Sequence, residues 1–412
     1  MTISITSSLS APYAQNTIGL RENGWMIDKA ARAGYLYAGN RPVNLTGTGR
    51  SRRKFCPMRE SLLSFLQCPS CRRPDLTMTA TEQRADQVWQ GNLRCPHCQA
   101  HYPIENGIPL LYVDDENWQP KAVEAAGWVT LHQQKGIYDP NENSIDFAIP
   151  YVAEAPWDSI SPAFDHALEL LDLTGAERVL DLGAGRTWAA KQFALRGCEA
   201  IALDIVPDLN VGLGRGYAMM ADAGVDYHLI VADGENSPFA PGSFDLVFCC
   251  GTLHHAQDLA GFFDNIHRVL RPGGRLCAIS EPCIAIWDDE GRRLADSAAE
   301  ELELGIHETL PTLPRYLAAL GPERWVFEQL LPGDAWPSAG QSWPEVASAR
   351  GARLGLGSPR GLLLWMARRL RGARQGIWQT PVYPQVQTDP ALAQAEILSW
   401  CGGALFLIAR KK

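Results

Sequence analysis

The sequence predicts an α/β protein in which a doubly wound parallel sheet follows a small β-rich module. Three observations lead there. Strand-like and helix-like runs alternate from residue 161 onward. Four of the eleven cysteines form two CxxC pairs well ahead of that region. Between the first strand and the helix after it stands "VLDLGAGRTW", with Gly183 and Gly185 two apart. Alternating strands and helices build βαβ units, and their crossovers cover both faces of a parallel sheet.

Composition sets the frame. A chain of 412 residues has room for two or three domains. Its 46% hydrophobic and 20% charged residues match a globular protein. No apolar run approaches the roughly 20 residues that a spanning helix needs. "MTISITSSLSAPY" lacks the basic start and continuous apolar centre of a secretory signal. A net charge of −9 argues against a nucleic-acid partner, whose phosphates favour a basic face. The seven cysteines outside the pairs are scattered, several within apolar strand-like runs. That usage suits small buried residues in a reducing compartment, so a cytoplasmic location is expected.

The elements then follow in order. Residues 1–57 read as a flexible basic leader, since the first 55 carry eight Lys/Arg against Glu22 and Asp28. A targeting or RNA-binding arm, or a start assigned ahead of Met58, are the other readings of that stretch. Residues 58–115 hold the CxxC pairs among short strand-like pieces. Residues 116–160 read as a connector with no clear period. From 161 come helices at "PAFDHALELLDL", "RTWAAKQFALRG", "PDLNVGLGRGYAMMADAG" and "DLAGFFDNIHRVLRPGG". Strands are expected at "RVLDLG", "EAIALDI", "YHLIVAD", "FDLVFCC", "RLCAIS" and the closing "GALFLIARKK". About 70 residues, 332–400, are an insertion before that last strand.

Cys68 and Cys71 in "LQCPSC", with Cys95 and Cys98 in "LRCPHC", make two knuckles separated by 23 residues. Two residues between cysteines turn both thiolates toward one ion, and two knuckles complete a tetrahedral four-sulfur shell. A filled shell leaves no open position, so structural zinc is expected in preference to redox chemistry. His97 and His101 lie close by as surplus donors. The segment resembles the zinc-ribbon domain that serves as activator subunit for eukaryotic tRNA and release-factor methyltransferases, through "CPSC", "CPHC" and "YPIENGIPLL". The resemblance implies a module that stabilises or presents a methyltransferase.

Gly183 and Gly185 let the backbone turn sharply beside a ligand. A dinucleotide fingerprint needs a third glycine at 188, and Trp188 stands there. Asp181 at the strand end suits an ammonium group. Asp204, 23 residues later, ends the next strand, where a carboxylate accepts from ribose hydroxyls. Asp233 ends the third, within reach of an adenine amino group. Three acids around one nucleoside fit a cationic, phosphate-free ligand better than NAD.

This series resembles the class I S-adenosylmethionine-dependent methyltransferases, through "VLDLGAG", "LDI", "ADGENSPF", "GSFDLVFCCGTLHH" and "NIHRVLRPGG". The resemblance implies a Rossmann-like, seven-stranded sheet over 161–412 and S-adenosylmethionine as cofactor. Asp181, Gly183 and Gly185 would hold its methionine end, Asp204 the ribose and Asp233 the adenine. Thr187 departs from the family, which often has a third glycine there.

Methyl transfer from a sulfonium needs an aligned acceptor and, for a hydroxyl, a proton acceptor. Candidate catalytic residues on loops after the strands are His255, Glu281 and His307, with His254 and Glu308 beside them. A metal bound by His255, Glu281 and His307 has no recognisable spacing. "RGLLLWMARRLRGARQG" within the insertion is apolar and then basic, which admits peripheral membrane contact or packing on the domain.

The leading expectation is methyl transfer to a small-molecule or glycan-type acceptor. A ribosomal or transfer RNA methyltransferase is the first alternative. Charge opposes it, because residues 160–285 carry eight Lys/Arg against sixteen Asp/Glu and residues 56–115 five against seven. A non-catalytic scaffold that keeps the cofactor site is the second, and the three retained acids speak for ligand binding.

Overall fold

The computed structural model describes residues 35–38, 41–44, 58–84, 87–137, 144–286, 288–332, 363, 366 and 402–412. Two units result, Met1–Ser51 and Arg52–Lys412. In the first, β1 (Tyr35–Ala38) and β2 (Arg41–Asn44) pair antiparallel. The rest of the leader, and the insertion with its apolar-basic stretch apart from positions 363 and 366, lie outside the described residues.

The second unit opens with a four-stranded antiparallel sheet in the order β3 (Thr77–Arg84), β4 (Gln87–Arg94), β5 (His101–Glu105) and β6 (Ile108–Pro109). Alternation in β5 turns Tyr102 and Ile104 inward and leaves His101 and Glu105 outside. Tyr102 and Ile104 join Leu62, Leu66 and Leu93 in a buried cluster. The same cluster continues into the next sheet through Phe239, Phe244, Ile230 and Leu203, so the two sheets share one core. Their backbones also pair. Leu111 N–H donates to Val231 O at 2.8 Å, Gln67 N–H to Pro238 O at 2.7 Å and Ala240 N–H to Phe65 O at 2.9 Å.

The segment read as a connector is helical. It forms α1 (Trp118–Gln134), α2 (Ser144–Ala148) and the start of α3 (Trp157–Leu171). The period of α1 escapes a hydrophobicity reading because its buried face carries Trp118, Lys121, Glu124, Gly127 and Leu131. Polar and glycine positions face inward, so burial and hydropathy do not coincide. α3 follows the ordinary rule, burying Ile160, Ala163, Phe164, Ala167 and Leu171 along one stripe.

The main sheet is seven-stranded. Its strands are β7 (Arg178–Leu182), β8 (Glu199–Asp204), β9 (His228–Val231), β10 (Phe244–Cys250), β11 (Leu270–Cys283), β12 (Trp325–Pro332) and β13 (Gly403–Lys411). Across the sheet they run β12-β13-β11-β10-β7-β8-β9. All neighbours are parallel except β13, which is antiparallel to β11 and β12. Adjacent pairs such as Val179 and Leu180, or Ala200 and Ile201, point to opposite faces and are all buried. Two-sided burial is why these strands read as unbroken apolar runs. Helices α4 (Trp188–Leu195), α5 (Gly216–Ala223), α6 (Leu259–Val269), α7 (Glu290–Ser297), α8 (Ala299–Glu303) and α9 (Leu313–Leu320) complete the unit. The helix expected over "PDLNVGLGRGYAMMADAG" shortens to α5 alone. Asp208 accepts from the amides of Asn210 and Val211 in a turn, and a Cβ at Gly212 would fall 2.0 Å from Val206 O. Among the described residues no helix is long and apolar enough to cross a membrane.

Strand order reverses between β7 and β10, and in such sheets the crevice beyond the carboxyl ends of the strands receives ligands. The junction of the two sheets rests on Phe239, fully buried, with Phe65 stacked on it at 6.3 Å and Phe244 edge-on at 4.8 Å. Phe239→Ala removes that keystone and is expected to cost about 3–5 kcal/mol in urea unfolding. A loss below about 1 kcal/mol would show that the shared core is not cooperative there.

Candidate active site

Beyond the ends of β7 to β10 lies a cavity of about 520 Å³, within the range of small-molecule sites. Gly183, Gly185, Asp204, Asp233 and His255 line it, together with Lys121, Glu124, Trp128 and Arg186. Asp181, Glu281 and His307 are not among its lining residues.

The glycine loop is a backbone necessity. Gly183 has φ +73°, and a Cβ there would fall 2.2 Å from Thr252 Cγ2. Gly185 has φ +48°, yet an added Cβ would meet no atom within 4 Å. The first glycine is needed for packing and the second leaves open space toward the cavity it lines. Thr187, in the place of the family's third glycine, keeps a left-handed backbone at φ +66°. That conformation is costly for a β-branched residue. Its hydroxyl lies 2.7 Å from Tyr227 Oη in a fully buried setting, which offsets part of the strain.

The strand-end acids separate into two kinds. Asp204 accepts from Gly185 N–H at 2.7 Å and Val206 N–H at 2.9 Å while still lining the cavity. Asp233 accepts from Glu235 N–H at 2.8 Å and stands 3.4 Å from Lys121 Nζ. Burial pushes both carboxyls up from their ordinary range, Lys121 opposing this at Asp233. Asp181 differs from its expected place beside the ligand. Its carboxylate turns under the loop and accepts from Ala190 N–H at 2.8 Å, in the first turn of α4. A strand-end acid facing a helix start satisfies free amides.

Residues the sequence reading passed over close the cavity from the other side. Lys121 Nζ bridges Asp233 and Glu235, reaching Glu235 Oε1 at 2.5 Å. Burial alone would depress its pKa, but the two carboxylates raise it. Glu235 also accepts from the amides of Gln257 and Asp258. Buried Asp146 holds Arg186 at 2.7 Å and Arg215 at 3.1 Å, tying α2 to the glycine loop. No local pattern signals these pairings, since their partners lie 40 to 114 residues apart.

The histidine loop after β10 departs from expectation in a physically clear way. Ser280 adopts φ +57° where β11 shifts register against β13, and such an irregularity re-aims the next side chain. Glu281 is thereby fully buried, accepting from Thr252 N–H at 2.8 Å and Leu253 N–H at 2.9 Å. Its Oε2 is 3.1 Å from His254 Nδ1. His307 contributes its carbonyl, to which His255 Nδ1–H donates at 2.6 Å. Glu124 Oε1 lies 3.3 Å and Glu308 Oε1 3.9 Å from that same nitrogen. Burial would lower the His255 pKa, yet the Glu124 hydrogen bond and the neighbouring carboxylates lift it to about 9. His254 goes the other way, to about 4, through burial and the His255 charge.

The four cysteines converge as expected. Cys68 and Cys98 sulfurs are 3.5 Å apart, Cys71 and Cys95 sulfurs 3.6 Å, and all four lie within 4.8 Å of one another. A tetrahedral shell with metal–sulfur bonds of about 2.3 Å needs edges of about 3.8 Å, so the cluster is compatible with zinc. Tyr102 Oη supports it at 3.0 Å from Cys68 Sγ. His97 and His101 turn elsewhere, toward Asp75 at 3.7 Å and Asn92 at 3.0 Å.

Fold and site together define the class. Residues 180–278 match the methyltransferase domain family, and residues 59–107 match the Trm112p-like protein family. The chain thus joins a methyltransferase domain to a Trm112p-like domain. Among curated relatives, it is 32% identical over 128 residues to a ubiquinone biosynthesis O-methyltransferase of Xylella fastidiosa, covering 31% of this chain and 51% of that protein. It is 33% identical over 129 residues to the biotin biosynthesis bifunctional protein BioHC of Cellvibrio japonicus, covering 30% and 24%. The chain spans about half the length of the ubiquinone biosynthesis relatives it matches. A solved complex containing the Haloferax volcanii Trm112 methyltransferase activator is similar with TM-score 0.40 and 17% identity, over 70% of this chain and 97% of that one.

Burial pushes the Asp181 carboxyl up to about 7; Ala190 N–H opposes the rise and the Asp204 charge adds to it. An unfolded carboxyl releases its proton near pH 4. The folded state therefore binds the extra proton between about pH 4 and about pH 7, and stability from this group is lost as pH rises through that window. Asp181→Asn cannot ionise but can still accept from Ala190. Its stability relative to the wild type, from urea melts, should rise from about pH 4 to about pH 7 and stay level above. A difference independent of pH would contradict the burial argument.

Proposed function

We propose that this protein transfers a methyl group from S-adenosylmethionine to a small-molecule or glycan-type acceptor. The observation that carries the reading is one cavity lined by Gly185, Asp204, Asp233 and His255 at the switch point of the sheet. The open space beside Gly185 and the carboxylates of Asp204 and Asp233 suit a nucleoside without phosphates. Two amide donors leave Asp204 with lone pairs for ribose hydroxyls. Asp233 is assigned to the adenine amino group. Bound there, the cofactor supplies a methyl group on a good leaving group.

Within this reading Gly183 and Gly185 hold the methionine end. Asp181 is reassigned from ligand contact to positioning, since it ties α4 to the loop. His255 is the candidate that reaches the acceptor side of the cavity. Glu281 and His307 act through it and its neighbour, Glu281 by fixing the backbone at 252 and 253 and the His254 ring, and His307 by fixing the His255 ring. The acidic balance around the cavity favours a small acceptor over RNA. The protein is assigned to the cytoplasm on its cysteine usage. Cys68, Cys71, Cys95 and Cys98 are assigned to a structural zinc ion.

Calorimetric titration of the zinc-loaded protein tests the cofactor. Micromolar binding of S-adenosylmethionine or S-adenosylhomocysteine is expected, none of NAD, and a loss of about 10–100-fold in Asp204→Ala from removing a charged acceptor. No binding to the folded, zinc-loaded protein would overturn the methyl-transfer reading and, with it, a scaffold that keeps the cofactor site. For the ribbon, the cobalt-loaded protein should show thiolate-to-metal absorption in the near ultraviolet. Cys98→Ser should weaken that band and lower the melting midpoint by at least about 5 °C. An unchanged band and midpoint would remove the metal from the ribbon.

A further inference from the structure

A second group with metal-ligand chemistry stands apart from the cysteines. His254 and His255 follow β10, and Glu308 comes from the segment between α8 and α9. One ligand atom from each lies within 4.8 Å of the other two. Their surroundings already orient both rings. His255 Nδ1–H is committed to the His307 carbonyl at 2.6 Å. His254 Nδ1 is 3.1 Å from Glu281, a fully buried carboxylate locked by two backbone amides. Metal-bound histidines commonly give their second nitrogen to a carbonyl or carboxylate, which selects the tautomer and orients the ring. On His254 the remaining Nε2 lies 3.4 Å from Glu308 Oε2, and on His255 it is Nδ1 that stands 3.9 Å from Glu308 Oε1.

The neighbouring side chains point the same way. Glu124, Glu281 and Glu308 bring three carboxylates against two imidazoles. Among the described residues no lysine or arginine forms an ion pair with any of these three glutamates. Buried carboxylates are paired or coordinate metals, and a doubly charged cation suits this set of donors.

We propose that His254, His255 and Glu308 form a second metal site, for a divalent transition-metal cation, at the cavity wall to which His255 belongs. Two imidazoles and one carboxylate leave coordination positions open, unlike the closed four-sulfur shell of the ribbon. Glu281 and the His307 carbonyl are the outer supports that orient the two rings. The site needs no methyl-transfer activity to be detected, so its failure and a failure to bind S-adenosylmethionine are separate results.

The full chain is saturated with zinc, desalted, and its metal content measured by mass spectrometry. Two ions per chain are expected for the wild type and one for Glu308→Gln or His254→Gln. Cobalt titration separates the sites, the ribbon giving thiolate absorption and the second equivalent only weak visible bands from nitrogen and oxygen ligands. Those weak bands should vanish in Glu308→Gln with the thiolate absorption unchanged, which also shows that the variant is folded. A wild type that retains one ion per chain under excess zinc overturns the proposal, whatever the variants do. So does a second equivalent that Glu308→Gln and His254→Gln leave in place.

Discussion

The edge of the main sheet at β9 is the constraint on which the rest depends. An unpaired edge strand exposes backbone donors and acceptors that must be covered. Here the cover comes from the ribbon, whose Leu111 N–H donates to Val231 O at 2.8 Å. Around this backbone contact Phe65, Phe239 and Phe244 extend one core from the small sheet into the large one. The chain then leaves that edge and enters α1 within seven residues of Leu111. Where the ribbon sits therefore decides where the inward face of α1 lies.

That face is chemical. Lys121 stands between Asp233 and Glu235, and Glu124 and Trp128 reach the His255 ring, Trp128 edge-on at 5.6 Å. Breaking a buried ion pair leaves charges uncompensated, at a cost of about 3–5 kcal/mol. Lys121 thus ties α1 to the turn that follows the third strand. The ribbon, far from the glycine loop in sequence, helps build the wall opposite it.

Much of this was legible in the chain itself. Unbroken apolar strands implied a parallel sheet, and paired CxxC motifs implied a four-sulfur cluster; both features occur where spacing placed them. Gly183, Gly185, Asp204 and Asp233 could be read because each sits at a fixed point of a βα unit. α1 could not, since a buried face carrying lysine, glutamate and glycine has no hydrophobic period. Glu281 was read as a candidate catalytic residue on a loop, and a register irregularity at Ser280, invisible in sequence, accompanies its full burial. The direction of Asp181 depends on how α4 meets β7, which is a property of packing. Lys121 and Asp146 find partners across long stretches of chain, and no local rule anticipates such pairs.

The dependence of the site on the docked ribbon is tested most directly by hydrogen exchange on the intact protein, before and after a chelator strips the four-cysteine cluster. Loss of protection should spread from residues 58–111 into β9, the 233–236 turn and α1, while β10 and β11 keep theirs. Protection lost within 58–111 alone, with β9 and α1 unchanged, would contradict the account.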